Sequence, residues 1–554
     1  MRPIVSIILE NLEFLDPAQG ANFVGPAVKF PDRFRRILHD ERVEALEVFV
    51  HPLVVSEPGK LLEIANNVLP AHRRGQGVLR FYPFTSLPLV WKDPHPRIHH
   101  CFDPVNLARE RALRDRFAVG PTAIYCTSSS HGIKEVWGPL QRLAEAGRVE
   151  FDAVVSPSSF TTAAYEASFR ALVPGAEVPC RMETVPNGVD LDQFQPATAE
   201  LRAQAKAAFR IPADAPTLLY FGRISPHAKS DLIPVLRAFA AAKVQDAVLL
   251  IAGKENAPGY VDHLRAIAAE LGISGQVRFE GAIPLTFRHL PYQAADAFLF
   301  PSDTIQEAFG NVLVEAIASG LPVISTDWDG ARDIVRHGEN GLLVPIYFCE
   351  QLDRVSAVSP LLDLDTNYML FSQSAVIDEV ALSRAMSEML TQPELRATLG
   401  DGARKSAERF AMQPVYDRFF SLSSELLAAA KSESAEAMVA RRAAVDRWSP
   451  VPPYAQSFGG YSTWRIQDDR KLELGLNGKA AKRGVPISFY NEMAPVIETA
   501  AVATAIEAVS KPGATFGSVV TAVARTHALS DSDARYLVHV LIKNGGINFS
   551  TDIY

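Results

Sequence analysis

Glu307 and Glu315 stand with seven residues between them, on either side of Gly310 and Asn311. An apolar run, residues 297–300, precedes them and reads as a buried strand. The run 312–319 is apolar nearly all round and reads as a buried helix closed by Gly320 and Pro322. An ionised carboxylate in such surroundings is costly unless something pairs with it. With Asn311 as N-cap, the free N–H groups of the first turn favour an anion, and Gly310 lets a bulky one approach the backbone. A ligand built as sugar, diphosphate and ribose has this layout. The alternative is a strand–helix unit whose glutamates bind other parts of the protein.

Two cations upstream fit the first reading. Arg223 and Lys229 follow the strand-like run 217–221. Cations beside a helix N-terminus make a diphosphate site; taken singly, each is a surface charge. His131, in T-S-S-S-H-G, follows the strand-like run 123–127 and could face a ligand or stand exposed in its loop. His95, His99, His100, Cys101 and Asp103 lack the spacing of a zinc site. Pro94, Pro96 and Pro104 make that stretch read as a kinked surface loop. Lys60, Arg73 and Arg74, with Arg33, Arg35 and Arg36, make the first part of the chain locally basic. They form a solvated surface or meet a phosphorylated or membrane-borne acceptor.

These residues need a scaffold. Strand-like and helix-like segments alternate over residues 1–180 and again over 181–412, the pattern of parallel sheets with helices on both faces. In such folds ligands bind beyond the C-terminal ends of the strands, which singles out loops 19–26, 127–132 and 156–162 in the first domain. Residues 181–216, with P-N-G-V-D turn chemistry, are the hinge candidate, and 347–376 is an insertion of low regularity. Residues 413–440 form a helix and linker returning toward the first domain.

With 554 residues the chain needs several domains. A net charge of −8 argues against a general nucleic-acid binder. The first ten residues read as a strand, not a secretory signal, and no apolar run is long enough to span a bilayer. The four cysteines are scattered. A cytoplasmic protein with at most peripheral membrane contact is expected.

Several segments together resemble the retaining family 4 nucleotide-sugar glycosyltransferases. They are V-P-N-G-V-D-L-D-Q-F from Val185, F-G-R-I-S-P-H-A-K-S-D-L from Phe221, L-L-I-A-G from Leu249, residues 277–281, the Glu-x7-Glu stretch, and residues 329–344. The resemblance covers about 180–430 and implies the GT-B architecture: two Rossmann-like doubly wound α/β domains facing a cleft. It implies that Glu307 lies beside the donor sugar and that Gly310 and Asn311 present backbone to sugar and diphosphate. Glu315 would take the ribose hydroxyls, Arg223 and Lys229 would neutralise the diphosphate, and His131 would stand near the sugar from across the cleft. Phe309, Gly222, Lys254 and Gly281 complete the implied donor set, and Gly20, Asn22 and Gly25 an acceptor-side loop. The implied activity is retaining glycosyl transfer from a UDP-, GDP- or ADP-sugar to a hydroxyl acceptor, without metal or further cofactor. A phosphorylase, a sucrose-type synthase or a binding scaffold without turnover is the alternative. The lysine follows the arginine by six residues here, not the usual five, and Asp329-Gly330 and Asp333 replace the family's Gly-Gly and glutamate.

Residues 441–554 lie beyond the resemblance. Three helix-like runs, 495–510, 515–527 and 530–544, followed by Gly545-Gly546, resemble a small winged-helix module. The third carries Asp531, Asp533, Arg535, His539 and Lys543, which is no basic face for DNA. Dimerisation, a protein partner or acceptor presentation through 454–554 is the expectation.

Overall fold

The computed structural model describes residues 1–554 except 11, 17–24, 129–133, 452–453, 463, 491–492, 494–496 and 551–554. Its first sheet contains β1 (Ile4–Ile8), β2 (Ala45–Val50), β3 (Leu79–Pro83), β4 (Arg97–Cys101), β5 (Thr122–Thr127), β6 (Asp152–Ser156) and β7 (Arg181–Thr184). They are all parallel, in the order 3-2-1-4-5-6-7. The second contains β8 (Thr217–Phe221), β9 (Val248–Ala252), β10 (Val277–Glu280), β11 (Ala297–Phe300), β12 (Val323–Thr326) and β13 (Gly341–Val344), parallel in the order 10-9-8-11-12-13. Both are doubly wound and reverse direction once, between β1 and β4 and between β8 and β11. A crevice opens at such a reversal, beyond the carboxyl ends of the strands.

Most strands are buried apolar runs, as parallel strands covered on both faces must be; V-L-L-I-A of β9 is buried throughout. β4 breaks that rule and corrects the sequence reading. R-I-H-H-C is a central strand buried along its whole length, not a surface loop. Its polar side chains each have a partner: Arg97 Nε donates to Glu47 Oε2 at 3.2 Å, His99 bonds Ser6 Oγ and Glu110 Oε2 at 2.9 and 2.8 Å, and His100 Nε2 bonds Thr127 Oγ1 at 2.9 Å. The basic cluster also changes character. Arg73 is buried and donates to the carbonyls of Leu38, Asp40 and Val43, and the Arg33 guanidinium lies 3.9 Å over the Phe419 ring.

β7 completes the first sheet, so the first domain runs to Thr184 and the hinge is short. The chain crosses between domains twice, and the crossings lie side by side. Val189 donates to the Phe410 carbonyl at 2.8 Å and accepts from Met412 N–H at 3.2 Å. A Cβ on Gly188 would stand 2.7 Å from the Met412 sulfur, so glycine permits this approach. After the second crossing, helix Met412–Lys431 packs on the first sheet, burying Phe419, Leu422 and Leu426 with Tyr125 and Ala153. Helix Ala435–Trp448 continues onto the same domain, with Arg441 paired to Asp115 and Trp448 buried. The return therefore extends to Trp448.

The C-terminal module has its own core. Helices Thr499–Val509, Phe516–His527 and Asp531–Lys543 bury Phe516, Val519, Leu537 and Leu541, with Leu472–Leu474 paired antiparallel to Ile547–Phe549. No helix among the described residues is long and apolar enough to cross a membrane.

Candidate active site

The crevice of the second domain is built from the loops that leave β8 and β11. Gly222 N–H donates to the Ala252 carbonyl at 3.0 Å. A Cβ on Gly253 would stand 1.7 Å from the Gly222 oxygen, and Gly253 has φ +146°. Gly253 is thus what lets the turn lie flat against the end of β9; the sequence reading had chosen its neighbour Lys254. Arg223 follows, held at its carbonyl by Tyr220 Oη at 2.9 Å. Its half-buried guanidinium makes no hydrogen bond or ion pair among the described residues. The next turn closes on Ser225, whose carbonyl accepts from Lys229 and Ser230 N–H, both at 3.2 Å. That turn aims Lys229 at Glu307, and ammonium and carboxylate form an ion pair. Glu307 is 9% exposed, so the pair satisfies a carboxylate that could not stand alone there.

The β11 loop is tied to the β8 loop at two further points. Asp303, buried, accepts Asp231 N–H at 3.3 Å, and Thr304 Oγ1 donates to the His227 carbonyl at 3.3 Å. Burial pushes the Asp303 carboxyl well above the usual carboxylate range, and the neighbouring Asp231 charge adds to this.

Helix Asn311–Ala318 then begins, with a correction to its cap. The N-cap is Gly310, at φ +95°, and Asn311 is the first helical residue. Asn311 Oδ1 accepts from Asn187 Nδ2 at 3.0 Å, which ties it to the crossover. No side-chain capping hydrogen bond is made here among the described residues. The space a Cβ on Gly310 would take is filled by the Phe300 ring, 2.8 Å away. Glycine is therefore needed for packing and for its left-handed backbone. Phe309 is a core residue, its ring 5.9 Å from that of Phe410, and its side chain does not line the crevice.

Glu315 is fully buried and already partnered. Arg288 Nε donates to its Oε2 at 2.9 Å and Tyr292 Oη to the same oxygen at 2.8 Å. The sequence reading missed both partners, which lie just before β11. Lys254 and Gly281 are exposed at the ends of β9 and β10, on the side of the sheet that carries Gly222.

The first domain meets this site through the start of helix Ser159–Leu172. Asp333 accepts from Ser159 N–H at 2.6 Å and from Ser159 Oγ at 2.8 Å. Thr161 Oγ1 donates to the Ala308 carbonyl at 3.2 Å, next to Glu307, and Arg332 lies 4.2 Å over the Phe160 ring. Loop 156–162 was legible as a strand-end loop; that it grips the other domain was not. His131, Gly20 and Asn22 lie outside the described residues, and Gly25 opens helix Gly25–His39.

The geometry gathers a carboxylate–ammonium pair, a second cation and an uncapped helix N-terminus at the reversal of one sheet, with another domain facing them. Such a site can hold a diphosphate and stabilise negative charge developing on it.

Comparison with known proteins agrees with this geometry. Residues 202–358 match the family model described as glycosyl transferases group 1. A D-inositol 3-phosphate glycosyltransferase of Saccharomonospora viridis is 32% identical over 272 residues, covering 47% of this chain and 54% of that one. A GDP-mannose-dependent alpha-(1-6)-phosphatidylinositol monomannoside mannosyltransferase of Mycobacterium tuberculosis is 30% identical over 248 residues, covering 42% and 60%. The chain spans about half the length of the curated relatives it matches. Among solved structures, a sucrose-phosphate synthase from Thermosynechococcus elongatus superposes with TM-score 0.52 at 20% identity, over 77% of this chain and 100% of that one. Anabaena HepE, solved with UDP and glucose, gives 0.52 at 15% identity over 76% and 99%. At these identities the likeness is one of fold. Residues 202–358 are thus similar to the group 1 glycosyl transferases, and they are set in a two-domain fold of the GT-B type.

Proposed function

We propose that this protein transfers a glycosyl group from a nucleoside-diphosphate sugar to a hydroxyl acceptor, with retention of configuration. The observation that carries the reading is the Lys229–Glu307 pair at the β8/β11 reversal, with Arg223 beside it. In this scheme the bond from the sugar's anomeric carbon to the diphosphate breaks, and a bond to the acceptor oxygen forms on the same face. The acceptor proton passes to the leaving phosphate oxygen. Arg223 and Lys229 meet the charge that develops on the diphosphate, with the N-terminus of helix Asn311–Ala318 behind it. Glu307 faces the sugar. It is not half of an acid/base pair with Glu315, because Glu315 is committed to Arg288 and Tyr292. The scheme invokes no divalent cation and no further cofactor.

The named relatives act on an inositol phosphate and a phosphatidylinositol mannoside, so a polyol bearing a phosphate is the first acceptor class to test. The decisive experiment is a thermal-shift panel of UDP-, GDP- and ADP-sugars, followed by nucleoside-diphosphate release with and without acceptor. A bound donor raises the unfolding temperature as RT ln(1 + [L]/Kd). One donor should stand out and release its diphosphate in proportion to glycoside formed. No shift with any donor, or turnover that needs inorganic phosphate, overturns the reading.

A further inference from the structure

Ile346–Phe348 and Ala375–Ile377 pair antiparallel, with Phe348 opposite Ala375. Two residues would close such a hairpin. Residues 349–374 intervene instead and fold as helices Asp353–Val358 and Leu364–Ser372 with a short turn between. This excursion reaches both loops that frame the cleft. Asp365 Oδ1 lies 3.6 Å from His227 Nε2, in the loop between Arg223 and Lys229. Trp328 fixes the hairpin base: its ring lies tilted against Phe348, centroids 5.7 Å apart, and its indole N–H donates to the Thr304 carbonyl, in the Glu307 loop, at 2.8 Å. On the other side Tyr368, buried, lies near Tyr165 of the first domain, itself buried. Burial pushes the Tyr165 hydroxyl well up, and the Tyr368 phenol is among the neighbours that add to it. Tyr165 also bonds Ser128, at the end of β5. One short helix therefore spans from the diphosphate loop to the strand ends of the facing domain.

We propose that residues 349–374 cover the mouth of the cleft, over the loops that carry Lys229 and Glu307. This rests on the glycosyl-transfer reading above. The donor's anomeric bond breaks whether the incoming oxygen belongs to an acceptor or to water; with water the products are free sugar and nucleoside diphosphate. A cover that excludes water favours the acceptor.

Two variants test this. One replaces residues 349–374 by Asn-Gly, closing the hairpin between Phe348 and Ala375; the other is Tyr368→Ala, which leaves the helix in place and stands if the first fails to fold. The readouts are diphosphate release without acceptor, glycoside formation with acceptor, and donor affinity by thermal shift. Excision should raise the ratio of hydrolysis to transfer at least about tenfold, with donor affinity changed less than about threefold. Tyr368→Ala, which thins the buried side of the excursion, should raise the same ratio by a smaller factor. An unchanged ratio in both variants, in a protein that turns over a donor, sinks the cover alone. A natural chain that binds and turns over no donor sinks the underlying transfer reading instead, and the cover with it.

Discussion

Lys229 and Glu307, 78 residues apart in the chain, form an ion pair across the point where the second sheet reverses direction. The pair joins the loops that leave β8 and β11, and it puts a cation beside the uncapped N-terminus of helix Asn311–Ala318. Each residue therefore sets the other's position.

Lys229→Ala and Glu307→Ala should each lower kcat/KM by about two to three powers of ten while the far-ultraviolet circular dichroism stays that of the natural chain. The double variant should lose much less than the product of the two, because the residues are in direct contact. A single variant with near-normal turnover removes that residue from the scheme. Strict additivity shows that the two act separately.

Glu315 makes a separate prediction about stability. Its side chain is 1% exposed and is held by Arg288 and Tyr292. Arg288→Met strands a buried carboxylate and should cost about 3–5 kcal/mol. Tyr292→Phe removes one hydrogen bond to the same oxygen and should cost about 1–3 kcal/mol. Arg288→Met with Glu315→Leu should recover much of the loss, since the unpaired charge is gone. Urea unfolding measures all three. A small effect of Arg288→Met shows that the carboxylate has another adequate partner.

The β8 and β11 loops were legible because their chemistry is local: a strand-like run, then Gly-Arg or the Glu-x7-Glu helix. Two kinds of information were not. β4 is polar and buried, and only the partners contributed by β1, β2, β5 and the following helix make that arrangement stable. Sequence periodicity carries no trace of partners so remote. Arg288 and Tyr292 were missed for a related reason. They sit in and just before the short helix Leu290–Ala294, and their purpose appears only when Glu315 is folded against them. Gly310 has a role that its own neighbours in the sequence do not announce: its missing side chain makes room for Phe300 as well as permitting φ +95°.

Asp333 is the second domain's grip on the first. Its carboxylate takes the N–H and hydroxyl of Ser159, at the first turn of a helix from the other side of the cleft. Losing a cap of this kind costs about 1 kcal/mol, which shifts a balance between closed and open domains about fivefold. Asp333→Ala should therefore enlarge the radius of gyration by X-ray scattering and lower turnover several-fold, with the midpoint of donor-domain unfolding little changed. Identical scattering profiles and turnover show that the contact holds nothing shut.

Asp303 carries a pH prediction whose sign is the reverse of an ordinary paired carboxylate. Burial and the nearby Asp231 charge hold its pKa above the usual range, so it keeps its proton in the folded chain at pH values where the unfolded chain has released it. Over that interval the folded state binds more protons, and stability falls as pH rises from about 4 toward the folded pKa. Asn at this position cannot ionise in either state, and its amide oxygen can still accept Asp231 N–H. The unfolding temperature of Asp303→Asn minus that of the natural chain should therefore grow as pH rises from about 4 and level off above the folded pKa, with transfer activity retained because the loop that aims Lys229 stays tied. Differential scanning calorimetry at unit pH steps measures the gap. A gap that stays flat shows that Asp303 ionises in the folded chain at its ordinary pH, and a gap that shrinks shows that its charge is stabilised where the geometry places it among buried neighbours.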